Sequence, residues 1–322
     1  MKSAPTFPKR FASIDIGTNT ILLLIAEAHG GKLKALFDTE TMVRLGEGVH
    51  KNGILSEEAM TRGVQTLERY LKQCQKMEAQ KIYAVGTSAL REARNSNQFL
   101  TMVKEKLNLS IEVISGEEEA SLSFLAVARD LEETEKSILV VDVGGGSTEL
   151  VIGRGNVILR WVSLPLGIVR FNEKFLLSDP VKMEEWEAMV DEIRRQLSGF
   201  SFPETPLLMI SIGGTGTALV SVELGLENFI PEKIHRFFLT KEMLRNQLLL
   251  YRSKTLEERK RIKGLPPARA DVILAGGAIL YLIMEGSGCP SLMVSTHGVR
   301  NGLLYKKLQR LDGGFRIEKS KN

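Results

Sequence analysis

One short pattern occurs twice in this chain. Residues 14–25 read I-D-I-G-T-N-T-I-L-L-L-I and residues 141–152 read V-D-V-G-G-G-S-T-E-L-V-I. At an offset of 127 residues, Asp15 aligns with Asp142, Gly17 with Gly144 and Thr20 with Ser147. Each copy is an apolar strand ending in a carboxylate, a tight turn of small residues, a hydroxyl and a second apolar strand. Glycines let backbone N–H groups come close to a ligand, and successive N–H groups in a turn form an anion-binding nest. The hydroxyl adds a donor. A carboxylate at such a place repels phosphate, so it fits a divalent cation that also contacts the phosphate. Two such hairpins facing each other would form a phosphate-metal clamp between two related lobes. A single D-x-G is common at strand ends; two copies, each after an apolar run, favour the phosphate reading over a bare turn.

Other residues join these on chemical grounds. The segment S-I-G-G-T-G-T-A-L, residues 211–219, follows an apolar strand and opens a helix. Its amides and helix dipole favour an anion, which makes Gly213, Gly214 and Thr215 candidate contacts. It lacks the Walker lysine and the G-x-G-x-x-G spacing, so it reads equally as a tight strand-to-helix turn. Glu149 interrupts an apolar strand where the first copy has Leu22, and from there a carboxylate can reach back to a metal or water at the turn. Glu117, Glu118 and Glu119 begin a helix, where the dipole favours acids in any case. One of them could serve as a general base toward water, and spacing alone does not choose which. Arg91, early in a helix after a strand, could bind phosphate bidentately; a surface arginine fits that spacing as well.

The elements that must position these residues alternate. Strands are expected at residues 11–16, 21–28, 33–43, 81–85, 111–114, 138–142, 157–164, 207–212 and 292–295. Helices are expected from Ser56 to about Glu78, opening with G-T-S-A-L-R-E-A at residues 86–93, from Glu117 onward, and at 181–197, 241–251, 268–284 and 298–308. Residues 132–136 read as a polar break. The alternation implies an α/β protein, and the duplicated hairpin implies two lobes of similar topology with a cleft between them. The expected division is a first lobe of residues 1–128, joined by the C-terminal helix 298–310, a second lobe of residues 129–297, and a loose tail over 312–322.

Composition narrows the class. A chain of 322 residues, 43% apolar and 25% charged, suits a globular protein of two domains. The net charge of +4 suits an anionic ligand without pointing to nucleic acid. Cys74 and Cys289 are the only cysteines, so they read as apolar filler and not as a disulfide framework. The four histidines, His29, His50, His235 and His297, lie far apart with no metal-ligand spacing. Apolar runs are too short to span a bilayer, and residues 1–10 carry no apolar signal core. A cytoplasmic enzyme with no membrane partner is the expectation.

Taken in order, I-D-I-G-T-N-T, V-G-T-S-A-L-R, I-S-G-E-E-E-A, V-V-D-V-G-G-G-S-T-E-L and S-I-G-G-T-G-T resemble the exopolyphosphatase / guanosine pentaphosphate phosphohydrolase family from about Phe11 to Leu308. The resemblance implies two ribonuclease-H-like lobes of the acetate-and-sugar-kinase/Hsp70/actin superfamily with an interdomain cleft, in the family's short form without an extra C-terminal helical domain. Carried over by position, it puts a catalytic glutamate at Glu119, essential acids at Asp142 and Glu149, and a phosphate loop at Gly144, Gly145, Gly146 and Ser147. Gly17, Thr18 and Asn19 fall on the first loop beside Asp15, and Arg91 on a phosphate-contacting arginine. The first hairpin has D-I-G-T-N-T where members often have D-L-G-S-N-S, which keeps the hydroxyl. Arg269, in R-A-D-V-I-L-A-G, falls where substrate choice would be made.

The implied activity is release of terminal phosphate from inorganic polyphosphate or guanosine pentaphosphate by Mg²⁺-assisted attack of water. Asp15, Asp142 and Glu149 would hold the metal and Glu119 would activate the water, in an enzyme that could form a homodimer. Two rivals are an ATP-dependent small-molecule kinase of the same superfamily and a non-catalytic nucleotide-binding regulator. Phosphate release without an acceptor separates the first reading from the kinase, and the regulator ranks last because no substrate-binding or filament module is visible in the sequence.

Overall fold

A computed structural model of the chain describes residues 9–29, 31–131, 136–203, 207–312 and 318–319. The chain forms two compact units, Met1–Ser115 with Val299–Arg316, and Gly116–Gly298 with Ile317–Asn322. Each is built on its own sheet.

The first unit contains β1 (Lys9–Ile16), β2 (Thr20–His29), β3 (Lys32–Met42), β4 (Lys81–Gly86) and β5 (Glu112–Val113), in the order β3-β2-β1-β4-β5. The second contains β6 (Ser137–Val143), β7 (Thr148–Arg154), β8 (Val157–Leu164), β9 (Leu208–Ile212), β10 (Phe237–Thr240), β11 (Ser291–Val294) and β12 (Glu318–Lys319), in the order β10-β11-β9-β6-β7-β8-β12. In both, the first three strands form an antiparallel meander and the fourth pairs in parallel with the first. The register shift between Ile25 and Ala26 recurs between Ile152 and Gly153. The offset that relates the two turns thus also relates the two bulges, so the repeat is one of whole meanders. Bulges re-aim and twist a strand, and their position is part of the design of a sheet.

Sequence chemistry accounts for these elements. Residues 138–141 on β6 are fully buried, as expected for an apolar run at the centre of a sheet covered on both faces. Helix Glu57–Lys76 begins at Ser56, whose Oγ accepts from the Ala59 N–H at 3.2 Å. It buries Met60, Val64, Leu67 and Tyr70 at helical spacing. Helix Ile273–Ser287 is buried around most of its circumference in the core of the second unit, with Leu139, Leu219 and Leu292. Helix Val299–Asp312 packs on β1 and β2 through Leu304 and Leu308 against Phe11 and Leu24. Ser13 Oγ donates to the Arg300 carbonyl, and Arg300 grips Asp38 with two bonds of 2.9 Å. Cys74 and Cys289 are buried and free. Among the described residues, no helix is long and apolar enough to cross a membrane.

Several elements differ from the sequence expectation. Helix Gly116–Asp130, expected within a first lobe ending at 128, packs on β6, β7 and β8 and belongs to the second unit. The helix expected over 268–284 divides: Pro267–Arg269 is a 3₁₀ turn and the α-helix begins at Ile273, because Pro266 and Pro267 fix the entry to a tight turn. The strand expected over 111–114 shortens to β5. Helices Ser96–Leu107 and Ile168–Phe175 and strand β10 were not anticipated. Of the tail expected to be loose, Asp312 closes a helix and β12 pairs in parallel with Val157 and Ile158; its other residues, like 132–135 of the polar break, lie outside the described residues.

Candidate active site

The second hairpin is the centre of a polar cluster inside the second unit. Asp142, next to last on β6, is the cross-strand partner of Glu149 on β7. The turn between them closes with Gly144 N–H donating to the Ser147 carbonyl at 2.9 Å, as Gly17 N–H donates to Thr20 in the first hairpin at 3.0 Å. The carbonyls of Gly144 and Gly145 accept from Ile168 and Val169, which begin a helix, and Arg170 Nε donates to the Gly146 carbonyl. These bonds fix the turn through its oxygens. Among the described residues they leave the amides of Gly145, Gly146 and Ser147 unengaged, which is the arrangement a nest requires. Gly167 allows the support: a Cβ there would fall 2.3 Å from the Gly145 oxygen and Gly146 carbon.

Glu149 is 1% exposed. Its Oε1 accepts from Ser147 Oγ at 2.8 Å and Ser163 Oγ at 2.7 Å. Burial pushes its carboxyl well above the usual range, the charges of Glu119 and Asp142 push it further, and the two serine hydroxyls offset only part of this. Three carboxylates therefore act on one another here. Of the three acids that open helix Gly116–Asp130, Glu119 is buried, while Glu117 and Glu118 are half-exposed. Ser123, one turn further along, donates to Asp142 Oδ2 at 3.3 Å.

The third glycine segment reaches the same cluster. Asp142 pairs with Ile212 across the parallel β6–β9 ladder, and Gly213 follows with φ +79°. A Cβ at Gly213 would lie 3.0 Å from Asp142 Oδ1. At Gly214 a Cβ would lie 2.0 to 2.4 Å from the guanidinium of Arg269, itself 5% exposed. The Arg269 head group thus lies on the glycine loop. Thr215 Oγ1 donates to the Val143 carbonyl at 3.3 Å, so it braces the loop.

In the first unit, Asp15 pairs with Leu22 and Gly17 closes the turn. Thr18 and Asn19 are buried, and neither Thr18 Oγ1 nor either Asn19 amide atom meets a hydrogen-bond partner. Buried polar atoms without partners are costly and call for a ligand or water. The turn is clamped from outside: Val43 and Arg44 N–H donate to the Asn19 carbonyl, and Gly46 N–H to that of Thr18. Arg91 Nη1 donates to the Ile114 carbonyl at 3.1 Å.

Sequence reasoning missed Ser123, Ser163, Arg170 and the segment 43–46. The first three are short-range only in three dimensions. The last, V-R-L-G, carries a signal in its glycine, where a Cβ would strike Thr18 Cγ2 at 2.4 Å. The histidines have no metal-ligand spacing in the sequence, yet His235 and His297 stack with ring centroids 4.9 Å apart beside Asp130. A cavity of about 470 Å³ lined by Trp186, Asp191, Arg194 and Tyr281 shares no residue with the carboxylate cluster.

The chain resembles known proteins over most of its length. The Ppx/GppA phosphatase family matches residues 24–311. The chain is 36% identical over 315 residues to a bifunctional 3-dehydroquinate synthase/phosphatase of Fusobacterium nucleatum, covering 92% of this chain and 46% of that protein. It is 31% identical to a guanosine-5'-triphosphate,3'-diphosphate pyrophosphatase of Photobacterium profundum, covering 94% of this chain and 60% of that one. The chain thus spans roughly half the length of these curated relatives. A solved Ppx/GppA family member from Aquifex aeolicus superposes with TM-score 0.81 at 34% identity, covering 94% of this chain and 99% of that one. With its two-sheet α/β fold and its duplicated glycine turns, the chain belongs to the Ppx/GppA phosphatase family.

Proposed function

We propose that this chain is a phosphoanhydride hydrolase that releases terminal phosphate from guanosine pentaphosphate or inorganic polyphosphate. The observation that carries the reading is the cluster of Glu119, Asp142 and Glu149 beside the unengaged amides of the 145–147 turn. Mutually repelling carboxylates are costly to assemble in a buried place, and here they adjoin a turn suited to an anion.

The donor set fits a divalent cation. Oxygen-only ligands suit Mg²⁺, and the upward push on Glu149 by its neighbours is what a cation would relieve. Asp142 and Glu149 would hold it, and when bound it would supply charge neutralisation at the phosphate oxygens. In this reading the Gly145, Gly146 and Ser147 amides orient the terminal phosphoryl group. Glu119, buried yet within electrostatic reach of Glu149, holds the attacking water and takes its proton. The guanidinium of Arg269, laid over Gly214, contacts phosphates beyond the reacting one and biases substrate choice. Catalysis is then positioning and charge stabilisation, as is general for phosphoryl transfer.

The family and the pyrophosphatase of Photobacterium profundum support the reaction class. The test is the purified chain with Mg²⁺, offered guanosine pentaphosphate and polyphosphate separately and assayed for inorganic phosphate with no acceptor added. Release from either supports the reading. Release that depends on an added acceptor, or no release, overturns it.

A further inference from the structure

At the far end of the helix that begins near Glu119 stands a second group of ligand-type side chains. Asp130 is the last residue of that helix, eleven residues beyond Glu119, or about 16 Å along the axis. His235 precedes β10 and His297 follows β11. One ligand atom from each of Asp130, His235 and His297 lies within 4.8 Å of the others. None of the three belongs to the carboxylate cluster.

We propose that Asp130, His235 and His297 form a binding site for a transition-metal ion of the Zn²⁺ class, separate from the Mg²⁺ site assigned to the carboxylate cluster. His235 Nε2 lies 3.3 Å from Asp130 Oδ2, and His297 Nδ1 lies 3.5 Å from Asp130 Oδ1. Bonds of about 2.0–2.1 Å around a tetrahedral Zn²⁺ put neighbouring ligand atoms about 3.3 Å apart. The two histidine nitrogens approach different Asp130 oxygens, at 3.3 and 3.5 Å, so a single carboxylate oxygen supplies one edge of about that length, and binding would turn the carboxylate and draw the two rings together along the other edges. Asp130 Oδ2 is buried and meets no donor in hydrogen-bond geometry, although His235 Nε2 is near.

The surroundings suit a cation with nitrogen preference. Two imidazoles and one carboxylate favour Zn²⁺, Co²⁺ or Ni²⁺ over Mg²⁺ and Ca²⁺. A helix C-terminus carries partial negative charge, which favours a cation at Asp130. Thr296 serves as the outer partner of His235: its hydroxyl lies 3.3 Å from Nδ1, and its N–H also points there at 3.3 Å. Ligation through Nε2 would put the proton on Nδ1, so the Thr296 N–H that donates to Nδ1 in the unbound chain must turn aside and Thr296 Oγ1 accept instead, the support that ligating histidines commonly have. Arg236 opposes the ion. Its Nη2 lies 3.4 Å from Asp130 Oδ1 and donates to the Asp130 carbonyl at 2.6 Å, so on ion binding it would have to give up the carboxylate contact. Three protein ligands leave a fourth position for water.

The ion would tie the end of the helix to the turn before β10 and the segment after β11. The test is calorimetric titration of ZnCl₂ into the chelator-stripped full chain with Mg²⁺ in excess, so that the carboxylate cluster does not compete. The expected result is one equivalent bound by wild type, at least about ten-fold weaker binding in His235→Ala and His297→Ala, and unchanged binding in Asp142→Asn. Circular dichroism checks each fold, and His297→Gln replaces any variant that fails to fold. Absence of Zn²⁺ binding in wild type overturns the proposal. So does binding that survives both histidine changes or disappears with Asp142→Asn. Phosphate release plays no part in these readouts, so they stand or fall apart from the hydrolase reading.

Discussion

Asp142 and Glu149 face each other across the β6–β7 ladder, at the two positions where the first hairpin pairs Asp15 with Leu22. Like charges directly opposite in an antiparallel pair are destabilising, and Glu149 is buried besides. The first meander has the same turn bond and the same bulge position with leucine at that place. The fold therefore does not need the second carboxylate. Its cost is a mark of chemistry.

That cost is measurable against pH. The Glu149 carboxyl is raised in the folded chain by burial and by Glu119 and Asp142. An acid raised on folding contributes stability that is complete below its unfolded value, about 4.3, and is lost as pH rises through the folded value. In chelator, the Tm of wild type should fall as pH rises through that window. Glu149→Gln should flatten the fall and raise Tm at neutral pH and above. Thermal denaturation of both proteins across the pH range reads this directly; parallel curves would refute it.

Glu119→Gln should leave the fold intact and remove most turnover. A positioned base typically contributes about 10²–10⁴-fold. Single-turnover phosphate release, with circular dichroism as the control, measures the loss. A variant at near wild-type rate would move the role to another group.

Asp142→Asn should raise the Mg²⁺ concentration needed for half-maximal rate. The residue is half-buried at a strand end beside Gly213 and Ser123. Rate against Mg²⁺ for the two proteins should give displaced curves, and coincident curves would deny the residue a metal role.

Two glycine substitutions should separate support from contact. In Gly167→Ala the new Cβ meets the backbone of Gly145 and Gly146 at 2.3 Å, where nothing flexible can yield. Overpacking of this kind typically costs about 1–3 kcal/mol or more, readable as a lower denaturant midpoint. In Gly214→Ala the three atoms nearest the Cβ all belong to the end of the Arg269 side chain, which is softer than backbone. The midpoint should change less, while KM rises because the guanidinium is displaced from the loop. Equal midpoints for the two variants would contradict this.

The duplicated hairpin was legible because its signal is local: a carboxylate, a glycine turn and a hydroxyl within a dozen residues. The α/β class followed from the alternation of periods. Glu119 could not be told from Glu117 and Glu118 by spacing, since burial chooses among them and burial is a property of the packed helix. Arg269 was noticed, but its place over Gly214 depends on a 3₁₀ turn where a helix was expected. The His235–His297 pair was invisible because the two stand 62 positions apart. They meet because β10 and β11 pair antiparallel, Phe237 with Val294, and bring together the residues just outside the two strand ends.

The measurement that bears most directly on the central claim is hydrolysis in heavy-oxygen water. Purified chain, Mg²⁺ and guanosine pentaphosphate or polyphosphate are combined without acceptor, and the released phosphate is examined by mass spectrometry. Direct attack of water on the terminal phosphorus puts one solvent oxygen into each phosphate released. The account predicts that single label, with release greatly slowed in Glu119→Gln. Phosphate that forms only when an acceptor is supplied, or no phosphate from either substrate, would contradict it.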